Sequence, residues 1–173
     1  MKKIIALSVL ISLLFCNFVK VGGVDTYELG DDVVATSSYR VKSKKYIGDT
    51  YGSFKTIASN VSGAKTNNEE LSANTTISYS NSLSGNLSLT IKKNLKATMG
   101  FDVTKSGSVS AKYAIKLKKG QKCKIKARPT YNTYSCKLER LYTGTGVSIW
   151  REVSGTYTAK KYSHVDFDAK PYY

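Results

Sequence analysis

The chain predicts an all-β protein: an elongated antiparallel sheet or sandwich with one long β-hairpin, preceded by an N-terminal signal helix. Three observations lead there. Thr, Val, Ile and 13 Tyr run through the chain with only 2 Pro, residue types that suit a pleated, half-buried surface. No apolar period of about 3.6 residues is sustained. From Leu83 to Leu117 nearly every odd position is apolar or Gly, and nearly every even one is Ser, Thr, Asn, Lys or Asp. A period of two sends alternate side chains to opposite faces of a strand.

The first element is an export signal over residues 1–23. Met1-Lys2-Lys3 is its basic head, and Ile4 to Val19 is an apolar core too short to span a bilayer easily. Val21-Gly22-Gly23 supplies small residues for cleavage after Gly22 or Gly23. Phe15 before Cys16 fits a lipoprotein box badly, so simple secretion is expected over a lipid anchor at Cys16. The short Lys-Lys signal has a bacterial look. Removing residues 1–23 takes away three lysines of a chain with net charge +15, leaving 24 basic and 12 acidic residues, or +12. Such an excess attracts polyanions: an anionic membrane, a cell-wall polymer or nucleic acid. Export argues against the third. No second apolar run reaches membrane-spanning length. Sequons at Asn60, Asn74 and Asn86 are expected by chance in a chain so rich in Asn, Ser and Thr.

Residues 24–173 read as one all-β domain. Val33 to Ile47 predicts a strand closed by a turn at Gly48-Asp49, and Phe54 to Val61 predicts a second. Gly63 to Glu70 is a polar loop. The hairpin follows, with arms 71–91 and 95–117. Lys118 to Gln121 is a turn, and Lys122 to Tyr134 is strand-like. Shorter strands are divided at Gly144-Thr145-Gly146 and Ser154-Gly155, and the tail from Asp166, with Pro171, ends the structure.

Folding the hairpin about Lys93 opposes residues whose numbers sum to 186. The odd face then pairs Ile91 with Leu95, Leu87 with Met99, Ile77 with Val109 and Leu71 with Ile115, and sets Phe101 over Gly85 and Tyr79 over Gly107. The even face pairs hydroxyls, Ser88 with Thr98 and Ser78 with Ser108 among them. A one-residue slip would exchange apolar for polar everywhere, so the pattern fixes the register. A soluble sheet with one wet face alternates in the same way. The polar face here is mostly small hydroxyls, though, and residues 83–91 and 95–103 each have the length of a tilted membrane-crossing strand. On that reading Leu83, Leu87, Leu89, Ile91, Leu95, Ala97, Met99, Phe101 and Val103 face lipid. A closed ring of several copies is then required, since a lone hairpin leaves backbone groups unpaired in hydrocarbon.

A Ser/Thr-rich alternating strand, a short amphipathic hairpin, and a second such strand ending in AIKLKKGQKCKIKA resemble the aerolysin-type β-pore-forming toxins, especially their epsilon-toxin and mosquitocidal-toxin branch. The resemblance covers about residues 71–134. It implies an elongated β-structure, oligomerisation on a target membrane and insertion of the hairpin at 83–103. Family members are usually much longer and carry a separate receptor-binding part.

Lys116, Lys118, Lys122, Lys124, Lys126 and Arg128 occupy even positions on either side of Gly120. They predict one polyanion-binding stripe, or an edge strand defended by lysine against aggregation. Tyr131, Tyr134 and Tyr142 alone give thin support for nucleic-acid stacking. Cys123 and Cys136 form an even pair in an exported chain, which predicts a disulfide. For catalysis the chain offers one histidine, His164, and the alternating pair Asp166 and Asp168, read as solvated. There is no metal-ligand spacing and no phosphate-binding glycine loop, so neither enzyme activity nor a cofactor is expected. Trp150 is read as core. The functional expectation is a secreted cationic protein acting at an anionic envelope, as a small pore-forming toxin or bacteriocin. The alternative is a secreted binder of cell-surface or wall polymers that does not insert.

Overall fold

The computed structural model describes residues 33–173 and the backbone of two short paired strands, β1 (Val19–Val21) and β2 (Val24–Thr26). The expected signal helix otherwise lies outside the described residues. Among the described residues the architecture is all-β and antiparallel, with two short helices.

Its spine is β8 (Cys123–Gly144), a 22-residue strand about 70 Å long at ~3.3 Å per residue. Along one edge run β3 (Val34–Tyr51), paired with residues 130–143, and β4 (Lys55–Asn60), paired with residues 123–127. Along the other run β10 (Tyr157–Ala169) and the hairpin strand β9 (Val147–Glu152). The short β6 (Ser82–Leu83) pairs with β10. The expected turn at Gly48-Asp49 is absent. The strand runs through, and Gly48, at φ 118°, sits at one of three bulges that β3 makes against β8. β10 likewise runs on through Asp166 to Ala169, where the sequence suggested a tail.

Pro129 lies inside the spine, and its position explains why it is tolerated. Its carbonyl accepts from Gly52 N–H at 2.8 Å. The N–H that proline lacks falls on the same edge, in the gap between β3 and β4, where no ladder partner awaits it. A Cβ at Gly52 would come within 2.7 Å of the Pro129 ring, so only glycine fits there.

The second layer is a two-stranded ribbon, β5 (Glu69–Ser80) against β7 (Ser106–Leu117). Every pair in it sums to 186, from Glu69–Leu117 to Ser80–Ser106. This is the expected hairpin register. The odd face packs onto the sheet: Ile77 and Ala111 on Ala127, with Phe167 and Val165 alongside, and Leu117 on Cys123. Tyr113 stacks on Phe167 and Tyr79 on Tyr162, with centroids 4.9 and 4.1 Å apart. As expected, Tyr79 also covers the bare backbone of Gly107. The even face, a ladder of Ser, Thr, Asn and Lys, is exposed.

The turn at 118–121 carries the chain from ribbon to sheet, since β7 and β8 belong to different sheets. Leu117 and Cys123 both point into the sandwich, which throws Lys116 and Lys124 onto its opposite outer faces. The single stripe expected across Gly120 is therefore split in two.

The disulfide expectation is corrected as well. Cys123 and Cys136 are both free and fully buried. They sit on one continuous strand, 13 residues and so about 43 Å apart at the strand rise, whereas a disulfide needs Cα atoms within about 7 Å. Burial raises both thiols above their ordinary pKa, so they stay protonated at neutral pH. Iodoacetamide applied without reductant should leave both unlabelled in the folded protein and label both in denaturant. A second expectation concerns Thr130, 1% exposed, whose hydroxyl has no hydrogen-bond partner. Thr130→Val should raise stability by about 1 kcal/mol, read as a higher denaturant midpoint at unchanged m-value.

Candidate functional site

Beyond Ser80 and Ser106 the chain leaves the ladder, and residues 81–105 fold into a compact segment against the spine. Leu83, Leu87, Ile91, Leu95, Met99 and Val103 recur every four residues. That spacing keeps one parity, which suits a strand, and it advances about 400° in a helix, a drift of about 40° per step that keeps Ile91, Leu95 and Met99 on one side over the helical stretch 89–99. Here the helical solution is taken. Helix α1 (Leu89–Asn94) starts at Ser88, whose hydroxyl accepts from Ile91 N–H at 3.3 Å. Helix α2 (Lys96–Met99) ends at Gly100, left-handed at φ 78°. Lys92 and Lys93 lie in the last turn of α1, where cations suit the helix dipole.

The hairpin expected over 71–91 and 95–117 therefore has strand arms only over 69–80 and 106–117. A bare two-stranded ribbon would hold its apolar face in water, whereas the spine offers a dry one. The nine residues expected to face lipid divide accordingly. Leu83, Leu95, Met99 and Val103 are buried with Cys136, Leu138 and Ala159, and Leu87, Ile91 and Phe101 pack at the margin. Leu89 and Ala97 are exposed. Gly85 is covered by the Tyr157 ring rather than by Phe101.

Polar contacts hold the segment down at three places. At its base, buried Asn81 donates from Nδ2 to the Asp102 carbonyl at 2.8 Å, and its Oδ1 accepts from Tyr162 N–H at 2.7 Å. Its own N–H reaches the Lys105 carbonyl at 2.8 Å. Ser84 exchanges two bonds with Thr158 of β10. On the β3 side, Lys44 Nζ donates to the Met99 carbonyl at 2.6 Å and Val41 N–H to Thr98 Oγ1 at 3.1 Å. Asp102 Oδ1 accepts from both Thr104 N–H and Thr104 Oγ1. Those bonds, with Lys96 and Lys93 nearby, hold its carboxyl below the ordinary value.

The six stripe residues are not equivalent. Lys116, Lys118 and Lys124 are exposed, and the Lys122 backbone is tied to Tyr172. Lys126 lies 3.8 Å from Asp168 and Arg128 2.8 Å from Asp166. The Arg128 guanidinium is also sandwiched between Tyr51 and Phe54, 4.0 and 4.2 Å from their centroids. Asp166 and Asp168 are thus ion-pair partners of the stripe. Sequence reasoning missed Asn81 and Lys44, whose partners are distant backbone atoms. It also missed the exposed apolar group Tyr46, Ile47, Tyr51 and Phe54 near the end of β3.

His164 is exposed, with Nδ1 3.1 Å from Ser163 Oγ. Trp150 is half-buried beneath the Arg40 guanidinium. Among the described residues no cluster of His, Cys, Asp or Glu could hold a metal, and no helix is long and apolar enough to cross a membrane. The latter leaves strands unaddressed.

No protein-family model, curated protein or solved structure matches this chain.

Asn81→Ala should cost about 1–3 kcal/mol, because it strands the Tyr162 N–H and the Asp102 carbonyl. The same variant should speed amide exchange across 81–105 while leaving β8 protected. For Asp102 the folded pKa is depressed, so its contribution is full above the unfolded value and is lost as pH falls through the folded one. The Thr104 amide resonance should accordingly titrate with a midpoint below 3.8, and Asp102→Asn should abolish that titration.

Proposed function

We propose that this chain is a secreted, cationic, non-enzymatic β-protein that assembles on an anionic envelope and inserts residues 83–103 as a β-hairpin. In this it would act as the aerolysin-type toxins, whose alternating pattern it resembles, do. One observation supports the reading above the others. The ribbon register sums to 186 at every pair, and the same sum carried from Leu83/Val103 to Ile91/Leu95 opposes apolar or Gly to apolar on the odd face, while the even face opposes polar to polar except at Asn86/Gly100, with hydroxyl on hydroxyl at Ser82/Thr104 and Ser88/Thr98. The docked segment thus needs no change of register to become the tip of a longer hairpin.

The energetics favour such a step only where the apolar face stays dry. Burying Leu83, Leu95, Met99 and Val103 stabilises the docked form by about 1.5–3 kcal/mol for each side chain. Releasing them into water forfeits that, whereas hydrocarbon restores it. The edges of the new hairpin must find neighbours, which requires a closed ring of copies. A cell-wall binder remains the second reading. The exposed cations Lys116 and Lys124, on opposite outer faces, favour it, since they would hold a wall polymer with the segment still docked.

The test is dye release from anionic vesicles by a Ser82→Cys/Lys160→Cys variant. These positions are register partners in β6 and β10, so a disulfide there pins the base of the segment to the sheet. The oxidised protein should bind vesicles without leakage, and reduction should restore release with ring-sized oligomers in detergent. Leakage that ignores the staple would exclude insertion of this segment. Intact vesicles in both states, with salt-sensitive retention on cell walls, would favour the polymer binder.

A further inference from the structure

Where the segment, the ribbon and the sheet meet there is an open recess of about 460 Å³, within the size range of small-ligand sites. The stacked rings of Tyr79 and Tyr162 form one wall, and Phe101 stands on the segment side. Three lysines reach it from three elements: Lys96 from α2, Lys105 from the connection into β7, and Lys161 from β10. All three are exposed, and none is ion-paired to a described carboxylate. Lys161 Nζ lies 5.9 Å from the Phe101 centroid. The one carboxylate in the recess, Asp102, already accepts two bonds from Thr104. Three cations less one anion leave the recess a formal +2.

We propose that this recess binds a phosphate monoester, its dianionic phosphate between Lys96, Lys105 and Lys161 and its small organic body against the aromatic wall. A dianion matches the local charge, while a monoanionic diester leaves one cation uncompensated. Ammonium groups on flexible stems suit phosphate as point charges. The aromatic faces favour an ester with a carbon body over bare phosphate. The site exists only while the segment is docked, because Lys96 and Phe101 ride on the segment and Lys161 and Tyr162 belong to the sheet. A ligand that binds only this form therefore holds the segment down by mass action. The proposal needs the docked segment alone and stands apart from pore formation.

The test is calorimetric titration of the intact protein with sn-glycerol 3-phosphate and with inorganic phosphate, alongside vesicles containing phosphatidic acid or an equal fraction of phosphatidylglycerol. Saturable one-site binding of the glycerol ester, tighter than inorganic phosphate, is expected. Lys105→Gln and Lys161→Gln, at exposed positions that leave the core intact, should each weaken it about tenfold, the loss of one charge-assisted bond. Lys124→Gln, eight residues and so about 26 Å along β8 from Asn132, the register partner of Lys161, should not. Phe101→Leu should narrow the gap between ester and bare phosphate, and bound ester should slow amide exchange over 81–105. A Lys105-dependent preference for phosphatidic acid over phosphatidylglycerol would identify a lipid head group as the source, and binding of the soluble ester alone would identify a free metabolite. Three results would each overturn the proposal: no saturable binding at millimolar ester, equal weakening by Lys124→Gln, or inorganic phosphate binding as well as the ester.

Discussion

Six apolar side chains spaced by four residues, from Leu83 to Val103, must be kept from water, and the rest of the structure is arranged around that need. The ribbon buries its own odd face on the sheet and stops at Ser80 and Ser106. The chain breaks its ladder, winds two short helices and lays the stripe against Cys136, Leu138 and Ala159. Spacing by four permits this because, over the short helical stretch, Ile91, Leu95 and Met99 drift by only about 40° per step. The docked form is the one the structure holds, with its dry surface supplied by the spine.

The polar residues of the segment fit the same account. Ser88, one rung of the expected hydroxyl ladder, caps α1 in the docked form. Thr98, its partner in that ladder, receives the Val41 N–H instead. Lys92 and Lys93 are costly to carry across a bilayer, yet in the docked form they sit where a helix end welcomes positive charge. Asn81 does not need to change sides. It closes the ribbon at the point where ladder gives way to segment, and satisfies three backbone groups there.

Much of the fold was legible in the letters. The register of β5 with β7 followed from alternation alone, because period two leaves no tolerance for a one-residue slip. Alternation could not say where the ladder ends. Strand and helix patterns coincide over 89–99, and the choice is made by a surface formed from residues far away in sequence. The stripe and the disulfide failed for separate reasons. The stripe assumed one plane across Gly120, whereas the turn at 118–121 crosses between layers, and the disulfide rested on an even cysteine pair, which carries no distance, whereas Pro129 lies in an unbroken spine. Proline usually marks a boundary. Here the local gap between β3 and β4 removed the demand for its N–H, a fact no window of sequence around Pro129 contains. The recess at Lys96, Lys105 and Lys161 was invisible for the same cause, since its parts lie up to 83 positions apart, between Tyr79 and Tyr162.

The central claim is that residues 81–105 exchange a docked form for an extended one on a membrane. Pulsed spin-label distances between exposed Thr90 and half-buried Lys160, compared in solution and on anionic vesicles, test it most directly. In solution the account expects a single short distance, with α1 against the sheet. On vesicles that leak, the label at Thr90 should move away to roughly 30 Å or more, ten residues beyond Ser80 at ~3.3 Å each. A distance that stays at its solution value on leaking vesicles would contradict the account.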